Sequence, residues 1–120
     1  MIARLWHGVT LAEKTAEYLA FLQARAVPDY RATPGNLSVD ILHRTTGTVT
    51  HYMIVTHWES TQAIEAFAGT DIGRAKYYRE DVDFLLEFEP TVQHYEVHAS
   101  AGRRRTPRTA TPPTVTATTV

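Results

Sequence analysis

The stretch TVTHYMIVTHWESTQAIEAFAG, residues 48–69, decides the fold of this chain. The run from Thr48 to Trp58 is rich in β-branched and aromatic residues and predicts a long strand. Ser60 then stands where a helix N-cap is expected, and Gly69 is typical of the helix end. Between them lie apolar residues at helical spacing: Ala63, Ile64 and Phe67. A strand that leads directly into a short helix is therefore predicted.

Both faces of this strand carry apolar or aromatic residues. One face carries Tyr52, Ile54, Thr56 and Trp58, and the other carries His51, Met53, Val55 and His57. The helices of a small domain can cover only one of these faces. Since a second copy of the same sheet is the simplest cover for the other face, a homodimer is predicted.

The residues before this stretch predict a strand, a helix and a hairpin. Residues 2–9 alternate as a first strand. Thr10 and Glu13 fit a capping box for a helix that Pro28 is expected to end. That helix carries an apolar stripe: Leu11, Tyr18, Leu22 and Ala26, with Leu19 beside it. The turn Pro34-Gly35-Asn36, a second strand over 37–42 and a hairpin at Thr46-Gly47 follow.

The residues after Gly69 predict a second helical region and a last strand. Asp71 is expected to cap a helix that carries Ile72, Ala75 and Tyr78, and Arg79 to Leu86 a further turn or short helix. The last strand is expected over Thr91 to His98. The order β-α-β-β-α-β predicts an α+β, ferredoxin-like domain with an antiparallel sheet.

Composition sets the domain limits and excludes several classes of function. The 120 residues suffice for one core, predicted over 1–101, while the Thr/Pro/Arg-rich segment 102–120 is expected to be disordered. Residues 1–101 hold all 13 acidic residues and eight of the twelve Lys and Arg, a net charge of −5, so nucleic acid is not an expected partner. There is no cysteine, no apolar run of membrane length and no secretory signal pattern. A cytoplasmic protein without a membrane partner is expected.

Four motifs together resemble the antibiotic biosynthesis monooxygenase family of the dimeric α/β barrel superfamily. They are Trp58-Glu59-Ser60, the helix from Ala63 to Phe67, the segment Ala75 to Asp81 and the closing strand Val92 to Val97. The resemblance covers about residues 2–98 and implies two ferredoxin-like domains that pair into a barrel. Some members of this family oxidise polyketide anthrones with molecular oxygen and without metal or flavin, and others degrade haem.

The resemblance also allows a position-by-position comparison with the haem-degrading members. These carry an Asn late in the first strand, a Trp in the helix after the Trp-x-Ser junction, and a His ligand in the next helix. His7, Phe67 and Tyr77 stand at those positions here. Since none of the three matches, no cofactor is expected, although tyrosine can ligate haem iron.

Six histidines lie on predicted strands: His7, His43, His51, His57, His94 and His98. Each could be a general base, a metal ligand or a hydrogen-bonded structural residue, and no metal-binding spacing is present. His7 alternates with Ala3 and Leu5, on the face that is expected to meet the helices. Since the superfamily places its pocket there, His7 is the candidate base, with a structural histidine as the equal alternative.

An aromatic set is expected around the same pocket. Tyr77 and Tyr78 are candidate catalytic hydrogen-bond donors, and the candidate substrate-binding residues are Tyr52, Trp58, Phe67 and Arg74. An ordinary aromatic core is the alternative, above all for Trp58 and Phe67. The acidic stretch Asp81, Asp83, Glu87 and Glu89 is interpreted as a solvated face.

These residues favour a cofactor-independent monooxygenase that oxidises an aromatic, polyketide-like phenol or anthrone. His7 would remove a proton, and the resulting anion would react with molecular oxygen in a dry aromatic cage. Two alternatives use the same fold: a haem- or small-molecule-binding barrel without turnover, and an isomerase or cyclase that works without oxygen.

Overall fold

The computed structural model describes residues 1–102 and confirms the α+β, ferredoxin-like fold. Four antiparallel strands form one sheet in the order β2-β3-β1-β4. Their bounds are β1 Ile2–Leu11, β2 Asn36–Thr46, β3 Val49–Trp58 and β4 Gln93–Glu96. The predicted tail 102–120 lies outside the described residues apart from Gly102.

Two helical regions lie on one side of the sheet. The first comprises α1 Thr15–Phe21, a π-helical turn Leu22–Ala26 and α2 Val27–Ala32, and the second is α3 Thr61–Ala68. Single 3-10 turns occupy Ala12–Lys14 and Arg79–Asp83. The Ser60 hydroxyl accepts from the Ala63 backbone N–H, and Gly69 ends α3 with φ +95°, which confirms both predicted signals. No helix in residues 1–102 is long and apolar enough to cross a bilayer.

Two expectations for the first helical region are wrong. Thr10 belongs to β1, where its side chain bonds Leu11 and Tyr52, so it forms no capping box with Glu13. Pro28 does not end the helix, because it lies in the first turn of α2 directly after the π-helical turn. Proline is tolerated at a helix start, where its missing N–H needs no partner.

The helix predicted from Asp71 is also wrong. The segment 70–78 is extended or turn-like and bonds to the residues before β4: the Ala75 N–H donates to the Pro90 carbonyl and the Val92 N–H to the Gly73 carbonyl, each at 2.9 Å. These long-range bonds replace the local bonds of a helix. β4 is shorter than predicted and ends at Glu96, so His98 does not lie on a strand.

The two sides of the sheet differ in what covers them. On the helix side, the core comprises Trp6, Tyr52, Ile54 and Trp58 of the sheet against Tyr18, Leu22, Ala26, Tyr30, Ile64 and Phe67 of the helices. We call the other side the open face. The strand register places on it Leu5, His7, Asp40, Leu42, Arg44, His51, Met53, Val55 and Tyr95. No helix of residues 1–102 covers this face, and Leu42 and Tyr95 are 50% and 58% exposed.

The segment between the 3-10 turn and β4 passes along the edge of β1. Because β4 pairs only with Ile2 to Leu5, the later part of β1 is free on this side. The Leu86 N–H fills part of this edge by donating to the Val9 carbonyl at 2.9 Å. This bond brings the residues that follow Leu86 beside His7.

Candidate active site

His7 lies on the open face and not, as predicted, on the face that meets the helices. The alternation along β1 was assigned to the wrong sides, because Arg4 and Trp6 are the buried residues, at 1% and 4% exposure. His7 is half-buried beside them. The candidate base therefore belongs to the side of the sheet that no helix covers.

The imidazole of His7 is held between a carboxylate and a second imidazole. Its Nδ1 lies 2.5 Å from Glu89 Oε2, and its Nε2 lies 3.2 Å from His51 Nδ1. The two imidazole rings stack with centroids 5.4 Å apart and planes 22° apart. We call this arrangement the Glu89–His7–His51 chain.

Two features of the fold bring these three residues together. In the β1–β3 ladder His51 is opposite Val9, so it is a diagonal neighbour of His7 on the same face. Glu89 arrives from the segment that Leu86 fixes to β1. The Tyr77 hydroxyl donates to the Glu89 carbonyl at 2.5 Å, which fixes the backbone that carries the carboxylate.

The contacts determine where the protons lie when both histidines are neutral. A carboxylate only accepts, so His7 must donate from Nδ1 to Glu89. His7 Nε2 is then an acceptor, and His51 must donate to it from Nδ1. This leaves a lone pair on His51 Nε2, which no residue in 1–102 hydrogen-bonds. The Nε2 atom of His51 is therefore the basic atom at the open end of the Glu89–His7–His51 chain. His7 lies between His51 and Glu89.

An open groove of about 290 Å³ on the open face reaches both histidines. Leu42 and Met53 supply apolar walls, and Arg44 supplies a cation. Arg44 is the direct cross-strand partner of His51. A base beside a cation in one groove can remove a proton from a bound molecule and hold the anion that forms.

Of the predicted substrate-binding residues, Tyr52 is among the lining residues of this groove, but the functional groups of Tyr52, Trp58 and Phe67 are engaged elsewhere. The Tyr52 hydroxyl bonds Thr10 at 2.8 Å on the helix side. Trp58 is fully buried and donates to Thr56 Oγ1 at 2.8 Å. Phe67 stacks on Tyr30 at 4.4 Å. These side chains form the aromatic core, so the cavity that they were expected to share with His7 does not form.

The space left inside the helix side is small. The cavity between the sheet and the first helical region has a volume of about 10 Å³ and is lined by Trp6, Tyr18, Tyr78 and Asp81 among others. A volume of this size holds about one water molecule. The predicted aromatic cage is filled by its own side chains.

Of the other predicted site residues, Tyr77 and Tyr78 make structural contacts, and Arg74 lies away from the groove. Tyr77 packs edge-on against Trp6 and Phe88, and burial followed by the charge of Glu89 raises its pKa to about 12. Tyr78 donates to Asp29 at 2.6 Å, and burial and this bond raise its pKa. Arg74 is not near His7, since it pairs with Thr91 and its carbonyl accepts from Arg4.

Two carboxylates of the acidic stretch, which was predicted to be a solvated face, are hydrogen-bonded to other residues of the domain. Glu89 bonds His7, and Asp81 is 2% exposed and accepts from the Tyr18 hydroxyl at 2.8 Å and the Tyr78 N–H at 2.6 Å. Glu89 and Arg44 are the site residues that sequence reasoning missed. Glu89 reaches His7 only through long-range contacts, while Arg44 reaches His51 through the register of the β2–β3 hairpin, and neither lies in a local motif. Within residues 1–102 no group of three His, Cys, Asp or Glu side chains could hold a metal ion.

The profile of the antibiotic biosynthesis monooxygenase family matches residues 10–75. The chain belongs to this family. No curated protein matches the chain. Among solved structures, the haem-degrading MhuD of Mycobacterium tuberculosis, with two haems in its active site, is similar at 20% identity and TM-score 0.55, over 85% of this chain and 100% of that one.

Two further structures are similar, and both are of proposed antibiotic biosynthesis monooxygenases. The protein from Nitrosomonas europaea has 15% identity and TM-score 0.57, over 82% of this chain and all of that one. The protein from Bacillus cereus has 13% identity and TM-score 0.56, over 85% and 97% of the two chains. At these identities the likeness shows the fold alone.

We predict that His7 and His51 are both Nδ1-protonated when neutral. Free neutral histidine prefers the Nε2-protonated form, so the chain of contacts imposes the rarer one. Long-range ¹H–¹⁵N correlation spectra of the protein above pH 8 measure the tautomer directly. Glu89→Ala is expected to return His7 to a mixture of tautomers, with His98 as the exposed internal control. An Nε2-protonated His51 in the unsubstituted protein would contradict this assignment.

Proposed function

We propose that this chain is a monooxygenase that oxidises an aromatic, polyketide-like phenol or anthrone with molecular oxygen and needs no metal or flavin. The observation that supports this most strongly is the Glu89–His7–His51 chain, which presents a basic nitrogen to a groove that also contains Arg44. Family membership is consistent with an oxygenase, and the site supplies the base that a cofactor-free reaction needs.

The first step is removal of a proton from the bound substrate by His51 Nε2. Positive charge that develops on His51 is shared with His7 through the 3.2 Å contact and offset by the Glu89 carboxylate. The guanidinium of Arg44 lies across the ladder from His51 and stabilises the enolate or phenolate oxygen. His7, the predicted base, passes the proton inward, and Tyr77 positions Glu89.

The second step uses the electron-rich carbanion. It transfers one electron to molecular oxygen, and the resulting radical pair recombines as a carbon–oxygen bond to give a peroxide anion. This anion takes back the proton that His51 removed in the first step. Loss of water from the hydroperoxide then converts the original CH₂ group into a carbonyl. One oxygen atom enters the product and the other leaves in water, so no external reductant is required.

The open face is also the proposed surface for a homodimer. It exposes Leu42 and Tyr95 and carries partly buried Leu5, Met53 and Val55. A contiguous apolar sheet face of this kind is rare on a monomer. A second copy on this face would close the groove above His51 and keep water from the carbanion.

Haem binding, the alternative that the solved haem complexes suggest, fits the residues of this chain poorly. The cavity between the sheet and the first helical region has a volume of only about 10 Å³. Tyr77, at the position of the family's axial histidine, donates its hydroxyl to Glu89. Burial and the charge of Glu89 raise its pKa to about 12, so the tyrosinate that ligates iron is disfavoured at neutral pH. No step of the proposal involves haem.

We predict that purified protein converts anthrone to anthraquinone in air, and that His51→Gln lowers the rate by about 10²- to 10⁴-fold, the usual contribution of a general base. His98→Gln, at an exposed histidine outside β4, is the matched control and should keep full activity. Oxygen consumption and product absorbance measure turnover. If anthrone is unchanged in air, or His51→Gln retains full activity, the proposal is wrong. Conversion without oxygen would identify an isomerase or cyclase.

We predict that Leu42→Asp converts a dimer into a monomer, because it places a charge on the open face at a leucine that is half exposed in the single copy. The matched control is Val82→Asp on the 3-10 turn, which is 71% exposed and lies away from the open face. Analytical ultracentrifugation at about 10 μM measures the mass of each. A monomeric parent protein, or a dimer that survives Leu42→Asp, would contradict this assignment of the interface.

A further inference from the structure

Arg4 is a buried guanidinium with no carboxylate beside it. It points from β1 toward the helix side and is 1% exposed. Its Nη2 donates to the Arg74 carbonyl at 2.9 Å, while Nε and Nη1 are buried without a hydrogen-bond partner in residues 1–102. The ion pairs within this part of the chain are His7–Glu89 and Lys76–Asp29, and neither includes Arg4.

An unpaired buried charge is a large energetic cost. Even after relaxation, the penalty is on the order of several kcal/mol per ion when no opposite charge compensates it. Burial lowers the pKa of Arg4, but an arginine stays charged at neutral pH. Ionisable groups whose pKa is perturbed by burial cluster at functional sites, so the space around this charge is where a ligand is expected.

A groove with room for a ligand lies directly against Arg4. It is open, has a volume of about 430 Å³, and runs from the end of α3 along the segment 67–76. Two of its lining residues contact Arg4: the Arg74 carbonyl accepts its hydrogen bond, and the Phe67 ring lies 5.6 Å from its Cζ. The guanidinium therefore lies behind the inner wall of the groove.

The lining of the groove combines further positive charge with apolar surface. Arg74 and Lys76 contribute cations, and Asp71 is the one carboxylate among the lining residues. Lys76 is already shared between Asp29 and the Phe67 carbonyl, at 2.9 and 3.1 Å. Asp29 pairs with Lys76, and neither ion pair of residues 1–102 includes Arg4, so the charge of Arg4 remains unpaired.

His94, on the neighbouring strand β4, is affected by the same unpaired charge of Arg4. It is the strand partner of Arg4, and its Nε2 is buried without a partner in residues 1–102. Burial, and then the charge of Arg4, lower the pKa of His94, so its imidazole is neutral at pH 7. His94 therefore does not balance Arg4.

We propose that the groove along residues 67–76 binds a small organic anion whose carboxylate neutralises Arg4 and whose apolar part packs on Phe67 and Ala75. Arg4 is not itself a lining residue, so the carboxylate acts on its charge across the groove wall that Phe67 and Arg74 form. This site is on the opposite side of the sheet from His51, so it does not depend on the proposed oxidation.

Benzoate and its neutral analogue benzamide test this proposal by ¹H–¹⁵N NMR on the full chain. Benzoate should shift the amide signals of residues 67–76, while benzamide at the same concentration should not. Bound benzoate offsets the field of Arg4, so the titration midpoint of His94 should move to higher pH. Shifts confined to residues 42–53 would show binding at the open face only and would overturn the proposal.

The substitutions separate binding by Arg4 from a purely structural role. Arg4→Met, which fills the same space without charge, should weaken benzoate binding by about tenfold or more, the loss expected for one desolvated charge contact. Arg79→Gln makes the same change of charge at an exposed residue and should bind as the parent does. Arg74→Gln, which leaves the core intact, should weaken binding even if Arg4→Met does not fold. Equal affinity in the parent and in the Arg4 or Arg74 variants, or no shift of His94, would refute the site.

Discussion

The register of β1 against β3 is the constraint on which the rest of the structure depends. It pairs His7 with Met53 and Val9 with His51, which stacks the two imidazoles on the open face. The same register directs Trp6 and Tyr52 into the helix side, where they meet Tyr18 and Leu22. A shift by one residue would exchange the two faces, burying the histidines and exposing the indole. Packing of the aromatic core stabilises this register, and the register in turn fixes the position of the candidate base.

The two sides of the sheet carry different chemistry. Beneath the first helical region the helix side is nearly filled, and buried polar groups such as the Tyr18–Asp81 pair are satisfied. Arg4 and His94 are exceptions, with buried nitrogens that have no partner in residues 1–102. The open face holds the Glu89–His7–His51 chain, which ends at a nitrogen without a partner in the described residues. An acid–base site requires such a group next to open space, and the open face provides it.

Sequence reasoning could predict the architecture because local signals agree with the fold. The alternation of β3, the Ser60 cap and the Gly69 stop each operate within a few residues, and each was confirmed. The helix predicted from Asp71 failed because bonds from Gly73 and Ala75 to distant residues replaced local ones. Pro28 was misread because a π-helical turn precedes it.

The site was less predictable for a physical reason. The sequence singled out His7 as a candidate base. Alternation along β1 does not decide whether the face with Trp6 or the face with Leu5 is buried, so the side on which His7 lies could not be predicted. Glu89 reaches His7 only because Leu86 bonds Val9 and Tyr77 bonds the Glu89 carbonyl. No spacing in the sequence encodes contacts over such separations. The predicted aromatic cage failed since its members pack on each other.

A phenolic substrate should bind on the open face beside His51. Titration of isotopically labelled protein with 1-naphthol, followed by NMR, tests this placement. We expect shifts at the His7 and His51 ring signals and the Met53 methyl group, with the indole N–H signals of Trp6 and Trp58 unchanged. Shifts of the two indole signals, with His51 unaffected, would contradict it and place the substrate among the helices.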